Sequence, residues 1–380
     1  MTRVLVAPDK FKGTLTAAEV GAYVVAGLAS VRPDVEAVVV PVADGGDGFL
    51  AAAVGAGFTE VPVVVAGPTG LPVDAAFGRR GTEAVVELAS ASGLAQLPQG
   101  RLSPMTATSR GTGDLVRAAL EAGCTRIDLG IGGSACTDGG AGLVEALGAR
   151  VLDGDGRPVG PGGAALADAV DLDVSGLHPA LAGAEIAVAS DVDNPLTGPR
   201  GAAAVYGPQK GADPGQVAEL DRALTRWADV VARVTGTDHR DAAGAGAAGG
   251  VGFAALALLG ATLRPGVDLV LELTGFHQAL PGADLVVTGE GALDTQTLNG
   301  KAPAGVAAAA RAAGVPVVAV AGQCLLTPAQ LQEAGISRAY ALTDESDDRD
   351  ECFTRPGPLL ERIGARIAHD QLDGSTGGGR

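Results

Sequence analysis

The sequence predicts an α/β protein of two domains, and three observations lead to this fold class. A chain of 380 residues is longer than one hydrophobic core ordinarily supports. Short apolar runs typical of buried strands alternate with Ala-rich helical segments, which is the pattern of a largely parallel sheet. The alternation is regular at both ends of the chain and less regular in the middle. We therefore expect one domain built from both termini and a second domain inserted into it.

The domain boundaries are placed near residues 65 and 280. Residues 1–65 and 280–372 are predicted to form a Rossmann-like domain with a parallel sheet. Residues 66–279 are predicted to form an inserted α/β domain with a mixed sheet. The glycine-rich residues 373–380 are expected to be a disordered tail.

The individual elements follow from apolar runs and their flanking turn residues. The predicted strands, in chain order, are 4–7, 35–42, 61–65, 73–77, 84–88, 126–131, 184–189, 283–288, 315–321 and 338–342. The predicted helices are 16–29 (capped by Thr16), 113–122, 141–150, 218–234, 302–313, 331–335 and 358–368. Residues 150–159 are predicted to form a hairpin around Asp153-Gly154-Asp155-Gly156.

Composition and charge exclude several classes of function. The net charge of −17 argues against binding to nucleic acid or to an anionic membrane surface. The N-terminal apolar run is too short for a signal peptide, and the longest apolar run, 251–263, is too short to span a membrane. The four cysteines are widely separated and match neither a zinc site nor a disulfide framework. A soluble, cytoplasmic protein with reduced thiols is expected.

The glycine-rich segment 132–140, GGSACTDGG, lies between a predicted strand and a predicted helix. In this arrangement, free backbone N–H groups point at an anion and the helix dipole favours negative charge. Gly132, Gly133 and Ser134 are therefore candidate phosphate-binding residues. The alternative is a tight turn in which Asp138 only caps the following helix.

Lysine is rare and unevenly placed. Of 27 basic residues only four are lysine: Lys10, Lys12, Lys210 and Lys301. All four lie in short polar loops containing glycine, where a compact ammonium can contact a phosphate or carboxylate oxygen as a point charge. Chance is the alternative explanation, and Lys10 is the best candidate for a bystander because Lys12 is the one followed by glycine.

Acidic residues show a similar bias towards the ends of predicted strands. The pairs are Asp44 and Asp47, Asp191 and Asp193, and Glu290 and Asp294. Loop acids beside glycine are often only turn formers. In open α/β sheets, however, ligands bind outside the carboxyl ends of the strands. The acids, the lysines and the glycine loop together favour a site for Mg²⁺ and a nucleotide phosphate beside a small polar substrate.

Other functions are weighed against this interpretation. Residues 130–135 match the dinucleotide fingerprint GxGxxA, with Asp153 about 20 residues further on, which would suggest an NAD-dependent hydroxy-acid dehydrogenase. Asp138 beside the pyrophosphate and the hairpin position of Asp153 count against it. No Walker A, DFG, GxSxG or HExxH motif is present, and the kinase catalytic-loop signature HRDLxxxN is also absent. A non-catalytic, two-lobed binder of small anions stays open.

Nine short motifs, in order and over essentially the whole chain, resemble those of the type I glycerate kinases, a family of bacterial glycerate 2-kinases. They are PDKFKG at 8–13, ADGGDG at 43–48, TSRGTG at 108–113, GGSA at 132–135, DGG at 138–140, DVDNPL at 191–196, GPQKGA at 207–212, GAAGG at 246–250, and TGEG at 288–291 followed by Asp294, Gln296, Thr297, Gly300 and Lys301. Cys136, Ala292 and the acidic residues 344–351 depart from the family pattern.

The resemblance implies ATP-dependent phosphorylation of D-glycerate to 2-phosphoglycerate, with 3-phosphoglycerate as the other regiochemistry, in a cleft between two domains. It implies ATP and Mg²⁺ as cofactors and leaves the oligomeric state open. The catalytic candidates are Asp191, as base, and Lys12. Phosphate or nucleotide contacts are assigned to Gly132, Gly133, Ser134, Lys210, Glu290 and Lys301. Arg110 and Asp294 are the substrate-binding candidates, and Asp44 and Asp193 are the metal candidates.

Overall fold

The structure is a computed structural model that describes residues 2–43, 45–46, 48–346 and 348–372, without the side chain of Asn299. Within it, residues in the ranges 1–44, 51–56 and 267–380 form one compact unit, and those in 45–50 and 57–266 form another. The predicted tail at 373–380 lies outside the described residues. In the described part of the chain, every helix is too short or too polar to cross a membrane.

The strands and helices alternate along most of the chain. The strands are β1 Arg3–Pro8, β2 Glu36–Val39, β3 Thr59–Ala66, β4 Pro72–Arg80, β5 Glu83–Glu87, β6 Arg126–Gly130, β7 Arg150–Leu152, β8 Asp171–Asp173, β9 Glu185–Ala189, β10 Thr262–Arg264, β11 Leu285–Leu293, β12 Val317–Cys324 and β13 Arg338–Ala341. The helices are α1 Ala17–Val31, α2 Phe49–Gly55, α3 Ala89–Ser92, α4 Arg110–Glu121, α5 Ala141–Ala146, α6 Ala202–Tyr206, α7 Pro214–Thr235, α8 Val251–Leu259, α9 Gly266–Leu273, α10 Phe276–Ala279, α11 Ala302–Ala312, α12 Pro328–Glu333, α13 Arg349–Thr354 and α14 Pro356–Ile367.

The first unit contains a five-stranded sheet in the order β13-β12-β11-β1-β2, with every neighbouring pair parallel. Helix α1 begins in a capping box between Thr16 and Glu19, which satisfies two of the orphan donors of its first turn. It packs closely on α14, because a Cβ at Gly27 would lie only 2.0 Å from the carbonyl oxygen of Glu361. Apolar residues of α1, α14, β1, β11 and β12 form one buried cluster.

The second unit contains a six-stranded sheet in the order β10-β9-β6-β5-β4-β3. Strands β10, β9, β6 and β5 are parallel, and β4 and β3 continue the sheet as antiparallel neighbours. The core of this unit includes Trp227 of α7, which is fully buried. The predicted fold class, one parallel and one mixed sheet in an α/β protein, is confirmed. Strand β3, which lies mostly before the predicted boundary at 65, pairs with β4 in the mixed sheet; the boundaries of the two domains stay predictions.

The hairpin predicted at 150–159 is present but short. Asp153 does open a tight turn, since its N–H donates to the carbonyl of Arg157 at 2.8 Å. The N–H of Val159 donates to the carbonyl of Val151 at 3.0 Å and Leu152 bridges Pro158, and β7 also pairs antiparallel with β8.

Strands β11 and β12 extend further than predicted. Strand β11 runs to Leu293 and β12 to Cys324, and these two residues pair with each other. Glu290 therefore lies within a strand, whereas the sequence places it just past one. The glycines that suggest a loop allow close packing here, because a Cβ on Gly322 would lie 2.5 Å from the carbonyl oxygen of Gly291.

Candidate active site

The glycine loop of the second unit follows β6 directly and is held by backbone hydrogen bonds on one side. The N–H of Ala135 donates to the carbonyl of Ser92, and the carbonyl of Gly133 accepts from the N–H of Leu94, both at 2.9 Å. Gly133 is exposed and has a φ of +73°, a conformation that favours glycine. In the described part of the chain, the N–H groups of Gly132, Gly133 and Ser134 donate to no protein acceptor. These donors are suited to binding an anion.

Lys210 lies beneath this loop and not on its open side. The side chain is 2% exposed, and its Nζ donates to Ser134 Oγ at 2.9 Å and to the Cys136 carbonyl at 2.5 Å. Burial lowers the pKa of this lysine, and the nearby Cys136 and Asp138 oppose that shift. The sequence predicts a phosphate contact for Lys210, and the structure places its ammonium against protein oxygens of the loop.

Asp138 has the capping role that the sequence left as an alternative. It is almost fully buried, and its Oδ2 accepts from the N–H of Ser109 at 2.8 Å and from the hydroxyls of Ser109 and Thr108 at 2.9 and 3.2 Å. The N–H groups of Gly140 and Gly142 also donate to this carboxylate. One carboxylate therefore joins the start of α4 to the start of α5, and Gly142 leaves room for it.

Arg110 is placed by this junction at the start of α4. Its side chain is exposed, and its backbone N–H donates to Thr108 Oγ1 at 3.2 Å. Burial raises the pKa of the neighbouring Glu145 to about 7, while the guanidinium of Arg110 lowers it. Arg110 is thus an accessible cation in the same unit as the glycine loop, as a substrate carboxylate requires.

The carboxyl end of β9 carries the predicted acids Asp191 and Asp193, and they differ in their partners. Asp191 Oδ1 accepts from the N–H of Gly266 at 2.8 Å, which fixes the orientation of its carboxylate. Asp193 is exposed and forms an ion pair with Arg200 at 3.2 Å. Of the two, Asp191 is therefore the more constrained, and Asp193 already has a cationic partner.

Glu87 is a residue that the sequence reasoning missed. It is the last residue of β5, pairs in register with Gly130 at the end of β6, and is 8% exposed. Its Oε2 accepts from the N–H of Leu50 at 3.0 Å. The rule that functional acids follow parallel strands applies to it, but the residue has no adjacent glycine and so did not resemble the other acidic loops.

In the first unit, the polar residues lie at the topological switch point of the parallel sheet. Strand β1 connects through α1 to β2 on one side, and β11 connects through α11 to β12 on the other. Ligands of open α/β sheets bind at such a point. The loop after β1 exposes Lys12, and its backbone passes close to Gly291 of β11.

Glu290, Thr297 and Lys301 form a second polar cluster at this edge. Glu290 is 8% exposed, and its Oε1 accepts from the hydroxyl of Thr297 at 2.6 Å. Lys301 precedes α11, and its Nζ lies 3.8 Å from Glu290 Oε2. Asp294 accepts from the N–H of Gln296 and so stabilises the turn that follows β11. Glu290 thus holds Lys301 at the start of a helix.

The residues predicted to bind the metal do not form a site in which all ligands come from the protein. Asp44 lies outside the described residues, and Asp193 is paired with Arg200. Within the described ranges, His, Cys, Asp and Glu side chains nowhere cluster in threes in a way that could hold a metal ion. Mg²⁺ is commonly held by one or two carboxylates together with substrate phosphates, and such a site needs no larger cluster.

The position of Asp153 does not fit the dehydrogenase alternative. A Rossmann ribose acid lies at the end of the parallel strand that follows the glycine loop. Asp153 instead follows β7, which belongs to a separate antiparallel pair, and its Oδ1 accepts from the N–H groups of Asp155 and Arg157. It is therefore a turn residue.

Comparison with known proteins identifies the family. The family model described as "Glycerate kinase family" matches residues 4–371. The chain belongs to the glycerate kinase family. A glycerate kinase of Bacillus subtilis (strain 168) is 44% identical over 96% of this chain and 97% of its own. A glycerate 2-kinase of Escherichia coli (strain K12) is 42% identical over the same shares of the two chains.

A solved structure agrees with this assignment to the glycerate kinase family. The crystal structure of a candidate glycerate kinase 2 from Salmonella typhimurium LT2 matches with a TM-score of 0.89 and 40% identity, over 99% of both chains. The family predicted from the nine motifs is thus confirmed. The roles of individual residues in this glycerate kinase family member stay predictions.

Proposed function

We propose that the protein transfers the terminal phosphoryl group of ATP to a hydroxyl of D-glycerate. The observation that carries the proposal is the glycine loop after β6, which presents N–H donors to an anion in a chain of the glycerate kinase family. In the reaction, the substrate hydroxyl oxygen bonds to the γ-phosphorus, the bond from that phosphorus to the ADP oxygen breaks, and the hydroxyl proton passes to a base.

The charge that spreads over the transferred phosphoryl group needs fixed donors and cations. We assign this task to the N–H groups of Gly132, Gly133 and Ser134, and to Lys12 and Lys301. Lys301 supports the assignment because Glu290 holds its ammonium at the start of α11, where the helix dipole also favours an anion.

Asp191 is the proposed base. Its carboxylate follows a parallel strand and is oriented by the N–H of Gly266, and a base must be held in one orientation to accept a proton efficiently. Arg110 is proposed to bind the glycerate carboxylate, since its guanidinium is exposed and can make two parallel hydrogen bonds. Asp294 is proposed to contact a substrate hydroxyl.

Mg²⁺ is proposed to enter with the nucleotide as Mg·ATP. When bound, it neutralises phosphate charge. Asp44 is the proposed protein ligand, whereas Asp193 would first have to leave Arg200. The proposed product is 2-phosphoglycerate, the regiochemistry named for the Escherichia coli relative.

The decisive experiment measures ADP release by the purified protein with Mg·ATP and D-glycerate, followed by ³¹P NMR of the product. L-glycerate and a reaction without acceptor serve as matched controls. Release that depends on D-glycerate, together with the signal of 2-phosphoglycerate, supports the proposal. A 3-phosphoglycerate signal refutes the regiochemistry alone. Release independent of glycerate refutes the acceptor, and a thermal shift with NADH but none with ATP refutes the kinase assignment.

A further inference from the structure

Lys210 is the most unusual charged residue of the second unit. Its ammonium is buried and, among the described residues, donates hydrogen bonds to the hydroxyl of Ser134 and the carbonyl of Cys136 alone. Across the described residues, no carboxylate oxygen lies within 4.0 Å of it. A buried charge without an ion-pair partner is costly, so its presence calls for a physical reason.

We infer that Lys210 is a positioning residue that fixes the glycine loop from beneath and supplies positive charge behind it, without contacting the phosphate. The consequence for phosphoryl transfer rests on the proposed function; the effect on the loop itself does not.

The positions of the two contacts support this inference. Ser134 and Cys136 lie on either side of Ala135, whose own N–H is bonded to Ser92. The loop is therefore anchored at three consecutive residues, while the preceding N–H groups, of Gly132 and Gly133, keep their capacity to donate. Preorganised donors bind developing charge better than mobile ones because they need not reorient during the reaction.

The charge of Lys210 adds a second effect. An ammonium in a medium of low dielectric acts on an anion across the loop more strongly than it would in water. The titratable groups close to it are the thiol of Cys136 and the carboxylate of Asp138. Because burial lowers the pKa of Lys210, the loop should lose this charge at a lower pH than an exposed lysine would allow.

The first test compares amide hydrogen exchange at Ala135, whose N–H donates to the carbonyl of Ser92, in the ligand-free protein and in Lys210→Met, which keeps most of the side-chain volume. Loss of two hydrogen bonds from a charged donor should accelerate exchange in the loop by about 10- to 100-fold. Arg233→Met is the matched control, because Arg233 also donates to a backbone carbonyl in this unit, that of Val170, but not to the loop. Its loop exchange should not change.

The second test measures the affinity for pyrophosphate and for ADP from pH 7 to about pH 10. The wild-type affinity should fall with rising pH, and Lys210→Met should be about 10-fold weaker at pH 7 and show a smaller fall than the wild type. Should Lys210→Met fail to fold, Ser134→Ala removes one of the two contacts and should accelerate loop exchange to a smaller extent.

The anchoring role is overturned if Lys210→Met leaves amide exchange in the ligand-free loop unchanged, whatever its affinity for pyrophosphate. An unchanged affinity and pH profile would refute the electrostatic part. Wild-type protein without glycerate-dependent turnover would refute the proposed function and leave these loop measurements interpretable.

Discussion

Replacing Asp138 by asparagine tests whether one buried carboxylate holds the starts of α4 and α5 together. The variant keeps the shape of the side chain and removes its charge. An amide oxygen in the place of Oδ2 could still accept from Thr108, Ser109 and Gly142, but the amide NH₂ would then face the N–H of Gly140. The variant therefore loses one acceptor oxygen, and the other four hydrogen bonds have a neutral acceptor in place of a charged one.

The magnitude follows from these bonds. Hydrogen bonds to a charged group stabilise by roughly 1.5–3 kcal/mol each and neutral ones by roughly 1 kcal/mol, while a neutral amide is easier to bury than a carboxylate. We expect Asp138→Asn to lower the free energy of unfolding of this unit by about 2–4 kcal/mol. Asp138→Ala should lower it further, because all five donors would lack an acceptor.

The chain supplies its own probe for the measurement. Trp227 is the single tryptophan, lies in this unit, and donates through Nε1 to the carbonyl of Gly139 at 3.0 Å. Urea unfolding followed by its fluorescence therefore reports on the region next to Asp138. Asp155→Asn is the control, since that exposed carboxylate pairs with Arg157 within the same turn. An Asp138→Asn midpoint equal to that of this control would refute the reasoning.

Three further predictions concern pH, packing and catalysis. Burial raises the pKa of Glu145 to about 7 from an ordinary value of 4.5, so the folded state binds the proton more tightly and stability is lost as pH rises through this window. In urea unfolding at pH 5 and pH 8, Glu145→Gln should abolish that loss of stability. At pH 8 the variant should be about 1–2 kcal/mol more stable than the wild type, after allowance for the partial exposure of Glu145. A pH dependence equal to that of the wild type would contradict this. A Cβ on Gly364 would lie 2.4 Å from the carbonyl oxygen of Val24 in α1. Gly364→Val should therefore lower the free energy of unfolding by about 2–3 kcal/mol, as followed by circular dichroism. An unfolding transition equal to that of the wild type would exclude the close packing of α1 and α14. Asp191→Asn should lower kcat for D-glycerate at least about 100-fold with little change in KM, and near-normal turnover would remove Asp191 as the base.

Much of the fold could be predicted from the sequence, because the signals for it are local. The unit β1–α1–β2 follows from two apolar runs and the cap at Thr16, and the glycine loop from a strand, glycines and a helix in succession. The extension of β11 could not be predicted. Glycines at 289 and 291 indicate a loop by composition. Only the packing against β12, where a Cβ on Gly289 would lie 2.2 Å from the carbonyl oxygen of Val320, shows why the strand needs a glycine at 289.

The site shows the same division between local and distant causes. Asp138 and Arg110 were both visible as candidates, but the bonds that join their helices cross about 30 residues of chain, and no local pattern encodes them. The pairing of Asp193 with Arg200 was closer in sequence, yet exposed charges have many possible partners. Glu87 lies inside the strand predicted at 84–88, whereas the observed strand ends at this residue, so the pattern of acids that follow strands did not include it.

The rarity of lysine has a physical explanation at one position at least. The site beneath the glycine loop offers the Lys210 side chain two oxygens, those of Ser134 and Cys136, at 2.9 and 2.5 Å. Lysine has three N–H donors and arginine has five, so arginine in this buried place would leave at least three donors unsatisfied, each costing roughly 1–3 kcal/mol. Lys12 is exposed and Lys301 half-buried beside Glu290, and neither is subject to this limit. Lys210→Arg should therefore weaken the fold around the loop although the charge is retained, whereas Lys12→Arg should leave unfolding unchanged and alter only phosphate binding.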